Sequence, residues 1–184
     1  MTAVEINPDI AKIYQEFFPD DTVIVGDAHQ YLLDHFKEFD FIWSSTPCPS
    51  HSRINTDGQQ KPRFPEMSLY EEIIFLGNNW YSGLWIVENV IPYYTPLVTP
   101  TSNLGRHLYW SNFKIRSTVD FSDCSSIERQ DNKERFGFNL EGYNIDNKRK
   151  ILRNLVDPKV GLHLMNCARN IITKSNTEQT TLFE

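Results

Sequence analysis

No stretch of this 184-residue chain is long and apolar enough to cross a bilayer, and no basic-then-apolar leader opens it. A cytoplasmic location is therefore the expectation, with no membrane partner. Cysteine is scarce: Cys48, Cys124 and Cys167 are odd in number and widely spaced, which excludes a disulfide framework. There is no C-x-x-C pair, so no metal site is expected, and in a reducing compartment each thiol is left to pack or to react. None of the eight glycines falls in a G-x-G. Basic residues are few where the chain begins: residues 1–50 hold Lys12 and Lys37 against nine acidic side chains, out of a net charge of −6 for the whole. The remaining residues carry 16 basic and 15 acidic groups. A phosphate-facing surface is thus expected only in the later part, through local patches such as Arg53/Lys61/Arg63 and Lys148-Arg149-Lys150/Arg153. Composition alone favours reading these patches as solvated faces.

What is present is an ordinary globular balance, 40% hydrophobic and 23% charged, in a length that fits one domain. Its first half alternates two periodicities. Thr2-Ala-Val-Glu-Ile reads as a short buried strand. Asn7-Pro8 makes a helix start, and Ile10, Ile13, Tyr14, Phe17 and Phe18 then share one helical face. Thr22-Val-Ile-Val is a second strand, and Asp27 caps a helix bearing Leu32, Leu33 and Phe36. Phe39–Ser44 is a third strand, followed by a polar loop over Ser50–Met67. A helix with Leu69, Ile73, Leu76 and Trp80 on one face leads to a fourth strand, Leu84–Val87. Strand–helix alternation of this kind implies a parallel sheet covered on both faces, whose function collects at the carboxyl ends of its strands. Four such ends carry Glu5, Asp27, Cys48 and Glu88.

Beyond residue 91 the pattern changes. Arg106–Asn112 and Lys114–Ser117 read as a hairpin around Asn112-Phe113, residues 126–137 as a polar helix, and Lys148–Leu155 and Pro158–Ile172 as helices. A single domain over 1–184 is expected, with a catalytic core at 1–112, a small variable helical part at 113–173 and a polar tail at 174–184.

Cys48 stands between two prolines at a strand end, placed as a nucleophile, although a lone cysteine more often packs. Glu88 follows Trp85-Ile-Val, where burial favours a protonated carboxyl able to donate. Thr46-Pro47-Cys48-Pro49-Ser50 resembles the P-C motif that carries the nucleophile in DNA (cytosine-5) methyltransferases. Glu88-Asn89-Val90 is similar to their E-N-V motif. Val4-Glu5-Ile6-Asn7-Pro8 and Gly26-Asp27-Ala28 resemble their two acidic cofactor strands, and Arg106 matches their R-x-R element. The order and spacing agree from residue 2 to about residue 112.

The resemblance implies a Rossmann-like methyltransferase fold that uses S-adenosylmethionine, with double-stranded DNA as partner. It implies that Cys48 attacks carbon 6 of a flipped-out cytosine, Glu88 serves N3 and Arg106 contacts O2. Glu5 would bind ribose, Ile6 and Asp27 the adenine, and Pro47 would line the pocket. Arg53, Lys61 and Arg63 would touch phosphates from the closing loop.

The chain departs from the family in two ways. The opening strand and glycine-rich loop, roughly 20 residues by the usual lengths of such units, are expected to be absent, leaving their neighbours facing a gap. The large target-recognition region also lacks a clear match, which points to compact phage and bacterial members. Three readings follow: a shortened gene product, one half of an enzyme completed by a second polypeptide, or a non-catalytic DNA-binding remnant. An RNA cytosine methyltransferase and a thiol hydrolase pairing Cys48 with His51 are the further alternatives.

Overall fold

A computed structural model describes residues 1–53, 64–116, 121, 136–138, 140–146 and 148–170. Among the described residues, six strands and five α-helices run in the order β1 (Thr2–Glu5), α1 (Pro8–Phe17), β2 (Thr22–Val25), α2 (Ala28–His35), β3 (Phe41–Ser45), α3 (Ser68–Gly77), β4 (Leu84–Val90), β5 (Ser102–Leu104), β6 (His107–Ser111), α4 (Lys148–Asn154) and α5 (Pro158–Ala168). The alternation expected for the first half is present, and the chain has an α/β build.

Local chemistry sets the helix starts. Asn7 accepts from the backbone N–H groups of Asp9 and Ile10, with Pro8 in the first turn, and Asp27 accepts from those of His29 and Gln30. Asp157 caps α5 in the same way, again followed by proline. Each cap satisfies N–H groups that have no partner inside the helix.

The strands form two sheets where the alternation suggested one. β1 pairs with β2 in parallel, and a separate four-stranded sheet has the order β3-β4-β6-β5. In the latter β3 and β4 are parallel, while β6 runs antiparallel to both β4 and β5. Helix α2 ties the two sheets together. It packs on β1, and its Leu32 joins Ile42 of β3 with Leu69, Ile73 and Leu76 of α3 in the main core. A polar clasp reinforces it: His29 Nδ1 lies 2.8 Å from the Glu72 carboxylate, whose other oxygen accepts from Ser44.

Several expectations are corrected. β1 is half-buried along its whole length rather than buried, since it is covered less fully than β4. On α1 the buried positions are Ala11 and Ile13, while Phe17 and Phe18 are more exposed; Phe17 meets Phe138 and Tyr143 of the later chain. Trp80 lies beyond the end of α3 and is exposed, because Asn79 takes a positive φ and turns the chain. The hairpin also sits elsewhere. Its turn is Gly105-Arg106, where Gly105 has φ +59°, and residues 114–116 form no strand. Asn112 instead ends β6 by accepting from Trp85 N–H and donating to the Gly83 carbonyl. The expected helix at 126–137 and the tail at 174–184 fall largely or wholly outside the described residues. No helix among the described residues is long and apolar enough to cross a membrane.

Candidate active site

The pairing of β3 with β4 places Ser45 directly opposite Glu88. The Ser45 hydroxyl donates to Glu88 Oε2 at 2.8 Å and accepts from Trp43 Nε1 at 3.0 Å. One residue further along each strand, Asn89 Nδ2 donates to the Thr46 carbonyl and to its hydroxyl, at 3.1 and 2.9 Å. The strand bearing Glu88 therefore holds, by three side-chain hydrogen bonds, the two residues that lead into Pro47-Cys48. Asn89 shapes this turn.

Glu88 is 5% exposed. Burial pushes its carboxyl up to about 7, against the opposing pull of Ser45, Trp43 and the Arg106 charge. His107 Nε2 lies 3.4 Å from the other carboxyl oxygen, and burial, with Arg106 adding to it, pushes that imidazole down to about 4. Near neutrality the pair consists of a neutral imidazole beside a carboxyl poised between its two protonation states. Such a group can donate a proton or a hydrogen bond at physiological pH. The contact of His107 with Glu88 depends on the antiparallel register of β6 on β4, which no local pattern announces.

Cys48 is half-buried. Its thiol faces Asn154 Oδ1 at 4.0 Å, a contact between residues 106 positions apart. The end of α4 thus comes to the thiol, a neighbour that sequence reasoning missed. His51 does not act on Cys48: its Nδ1 is 2.5 Å from the Tyr94 hydroxyl and its Nε2 has no hydrogen-bond partner among the described residues. The thiol hydrolase reading loses its base on that geometry.

Arg106 is half-buried in the β5–β6 turn, close enough for its charge to act on both Glu88 and His107. Its carbonyl accepts from Ile91 N–H just past β4. Arg53 is exposed, and its Nε donates to the Pro92 carbonyl at 3.3 Å. Lys61 and Arg63 lie outside the described residues.

On the smaller sheet, Glu5 and Asp27 each spend one carboxylate oxygen locally. Glu5 Oε1 accepts Asn7 N–H, and Asp27 Oδ1 accepts the first N–H groups of α2. Next to them Ile6 is 71% exposed and Val25 is exposed as well. Two carboxylates beside bare aliphatic surface suit a ligand that has hydroxyl or amine donors and a flat apolar ring. Glu5, Ile6 and Asp27 thus fit a nucleoside-bearing cofactor, and exposed Pro47 follows the end of β3. No group of side chains suited to a metal ion occurs among the described residues.

Residues 1–91 match the family model for C-5 cytosine-specific DNA methylase. No curated protein matches the chain. Among solved structures, it is similar to the Escherichia coli protein yhhF, assigned as a methyltransferase, at 15% identity and a TM-score of 0.34, covering 60% of each chain. It is also similar to a triple mutant of DNMT2 from Spodoptera frugiperda at 18% identity and a TM-score of 0.39, over 72% of this chain and 53% of that one. The chain thus spans between half and two thirds of the length of these structures. The matched residues 1–91 contain Glu5, Asp27, Cys48 and Glu88, so this part of the chain is similar to the C-5 cytosine-specific DNA methylase family.

Proposed function

We propose that this chain carries the catalytic half-site of a DNA cytosine-5 methyltransferase, acting on a cytosine flipped out of duplex DNA. The observation that carries the reading is the Glu88 carboxyl, buried, poised near 7 and fastened through Ser45 to the strand that delivers Cys48. Cytosine is a poor electrophile at carbon 6 until N3 accepts a proton or hydrogen bond. Glu88 supplies it, the Cys48 sulfur bonds to carbon 6, and electron density moves to carbon 5. Glu5, Ile6, Asp27 and Pro47 would hold S-adenosylmethionine, whose sulfonium methyl would pass to carbon 5 as its S–CH3 bond breaks and S-adenosylhomocysteine leaves. Loss of the carbon 5 proton then expels the Cys48 thiolate and restores the aromatic ring. Arg106 contacts O2 of the base, and its charge balances the density that develops there.

The cytosine must leave the base stack to be reached, and Arg53, Lys61 and Arg63 are assigned to phosphate contacts around it. Among the described residues β1 and β3 each have a ladder on one side only. This supports the further proposal that a strand from the same or a second polypeptide completes the sheet beside the cofactor site.

Duplex DNA containing 5-fluorocytosine tests the reading, because fluorine at carbon 5 blocks the final elimination. With S-adenosylmethionine present, the expected result is a denaturation-resistant adduct, seen by mass spectrometry and absent in Cys48→Ser. No adduct with the wild-type chain overturns catalysis by this chain alone. An adduct on 5-fluorocytosine RNA but not on DNA moves the substrate to RNA.

A further inference from the structure

The residue three places beyond Cys48 is more deeply buried than a polar loop suggests. His51 is 1% exposed. Its backbone N–H donates to the Cys48 carbonyl at 3.0 Å, and its own carbonyl accepts from Tyr93 N–H at 3.2 Å. One residue therefore joins the nucleophile turn to the segment that follows β4. The side chain repeats the link, with Nδ1 at the Tyr94 hydroxyl and the ring edge-on to Tyr70 at 6.5 Å. Ser52 and Arg53 add a bridge and a hydrogen bond to Pro92.

The hydrogen-bond chain through Tyr70 and Tyr94 favours one form of the ring. Leu97 N–H donates to the Tyr70 hydroxyl, which donates to the Tyr94 hydroxyl at 3.1 Å. The single proton of Tyr94 is left to point at His51 Nδ1. That nitrogen is then the acceptor, and the proton sits on Nε2. Burial holds the imidazole below its ordinary value, against a smaller opposing effect of Glu66, so the ring is neutral. Nε2 is buried and has no hydrogen-bond partner among the described residues. An unsatisfied buried donor of this kind is destabilising. A phenylalanine would fill the space without that cost, so the acceptor at Nδ1 is the feature that distinguishes histidine here.

We propose that His51 is a positioning residue for Cys48, latching the nucleophile turn through Tyr94 and Tyr70 onto α3 and the segment after β4. The latch acts on the same pair of strands that the Ser45–Glu88 and Asn89–Thr46 bonds join, and it holds the far side of the turn. The proposal rests on Cys48 being the nucleophile, but its test needs neither DNA nor cofactor.

The test is the rate of Cys48 alkylation by iodoacetamide, mapped by peptide mass spectrometry on the whole chain. Cys167, 4% exposed, reports unfolding in the same digest. His51→Phe keeps the ring and removes the acceptor; His51→Asn keeps an acceptor near the Nδ1 position. The expected outcome is a rise of roughly threefold to tenfold at Cys48 in His51→Phe, the equivalent of one net hydrogen bond. His51→Asn should return the rate toward wild type, with Cys167 unchanged in both. An unchanged Cys48 rate in His51→Phe, or His51→Asn behaving like His51→Phe, overturns the proposal. If Cys167 becomes reactive in His51→Phe, Tyr94→Phe decides: it must reproduce the rise with Cys167 protected, and failure to do so overturns the latch. Absence of a fluorocytosine adduct in the wild type would count against the proposed function and leave this measurement standing.

Discussion

At the scale of single residues, Glu88 and His107 pull the pH dependence of stability in opposite directions. The Glu88 carboxyl is raised from 4.5 to about 7 in the fold. Its contribution is fully present below 4.5 and is lost as pH rises through 7. His107 is lowered from 6.5 to about 4, so its contribution is present above 6.5 and is lost as pH falls through 4. Between 4.5 and 6.5 the two largely cancel, and above 6.5 Glu88 acts alone. Glu88→Gln mimics the protonated carboxyl. It is expected to abolish adduct formation yet raise stability at pH 8 by on the order of 2–3 kcal/mol, with little gain at pH 4.5. Urea unfolding at the two pH values measures this, and a variant less stable than wild type at pH 8 would contradict the assigned protonation. The burial of Glu88 was legible from Trp85-Ile-Val ahead of it, and the nucleophile from Pro47-Cys48-Pro49. His107 and Asn154 were not, because each reaches the site through pairing or packing between distant parts of the chain.

At the scale of elements, local chemistry was the readable part and tertiary competition the unreadable one. The starts of α1, α2 and α5 follow from Asn7, Asp27 and Asp157, whose caps need only residues two or three places away. The end of β6 depends on Asn112 finding Trp85 and Gly83, so the hairpin was misplaced by several residues. The junction of β3 and β4 is the element-level feature that bears on function, and Asn89 is its fastening. Asn89→Ala removes both bonds to buried Thr46 and leaves its carbonyl and hydroxyl unsatisfied. A loss of about 2–4 kcal/mol is expected, read as a lower urea midpoint with an unchanged m-value. A loss under 1 kcal/mol would show that the turn is held by other means.

At the scale of the whole molecule, the sequence implied one continuous parallel sheet, yet β1-β2 and β3-β4-β6-β5 stand as separate sheets linked by α2. Alternation of strands and helices reports the order of elements, not whether every pair of neighbours forms a ladder. The division has a thermodynamic consequence. The larger sheet lies within the two apolar clusters, whereas β1 and β2 are only partly covered. The molecule therefore holds two cooperative units of unequal strength, and the weaker one bears Glu5, Ile6 and Asp27. A cofactor bound there adds free energy to that unit alone, about 2.7 kcal/mol at a concentration one hundred times its dissociation constant. Amide exchange with S-adenosylmethionine present should slow at Thr2–Glu5 and Thr22–Val25 and stay unchanged at Leu84–Val90. Equal slowing of both would mean that the two sheets melt as one body. A ligand held there would also complete the fold, and the fraction of chains with an ordered β1–β2 unit would follow its supply.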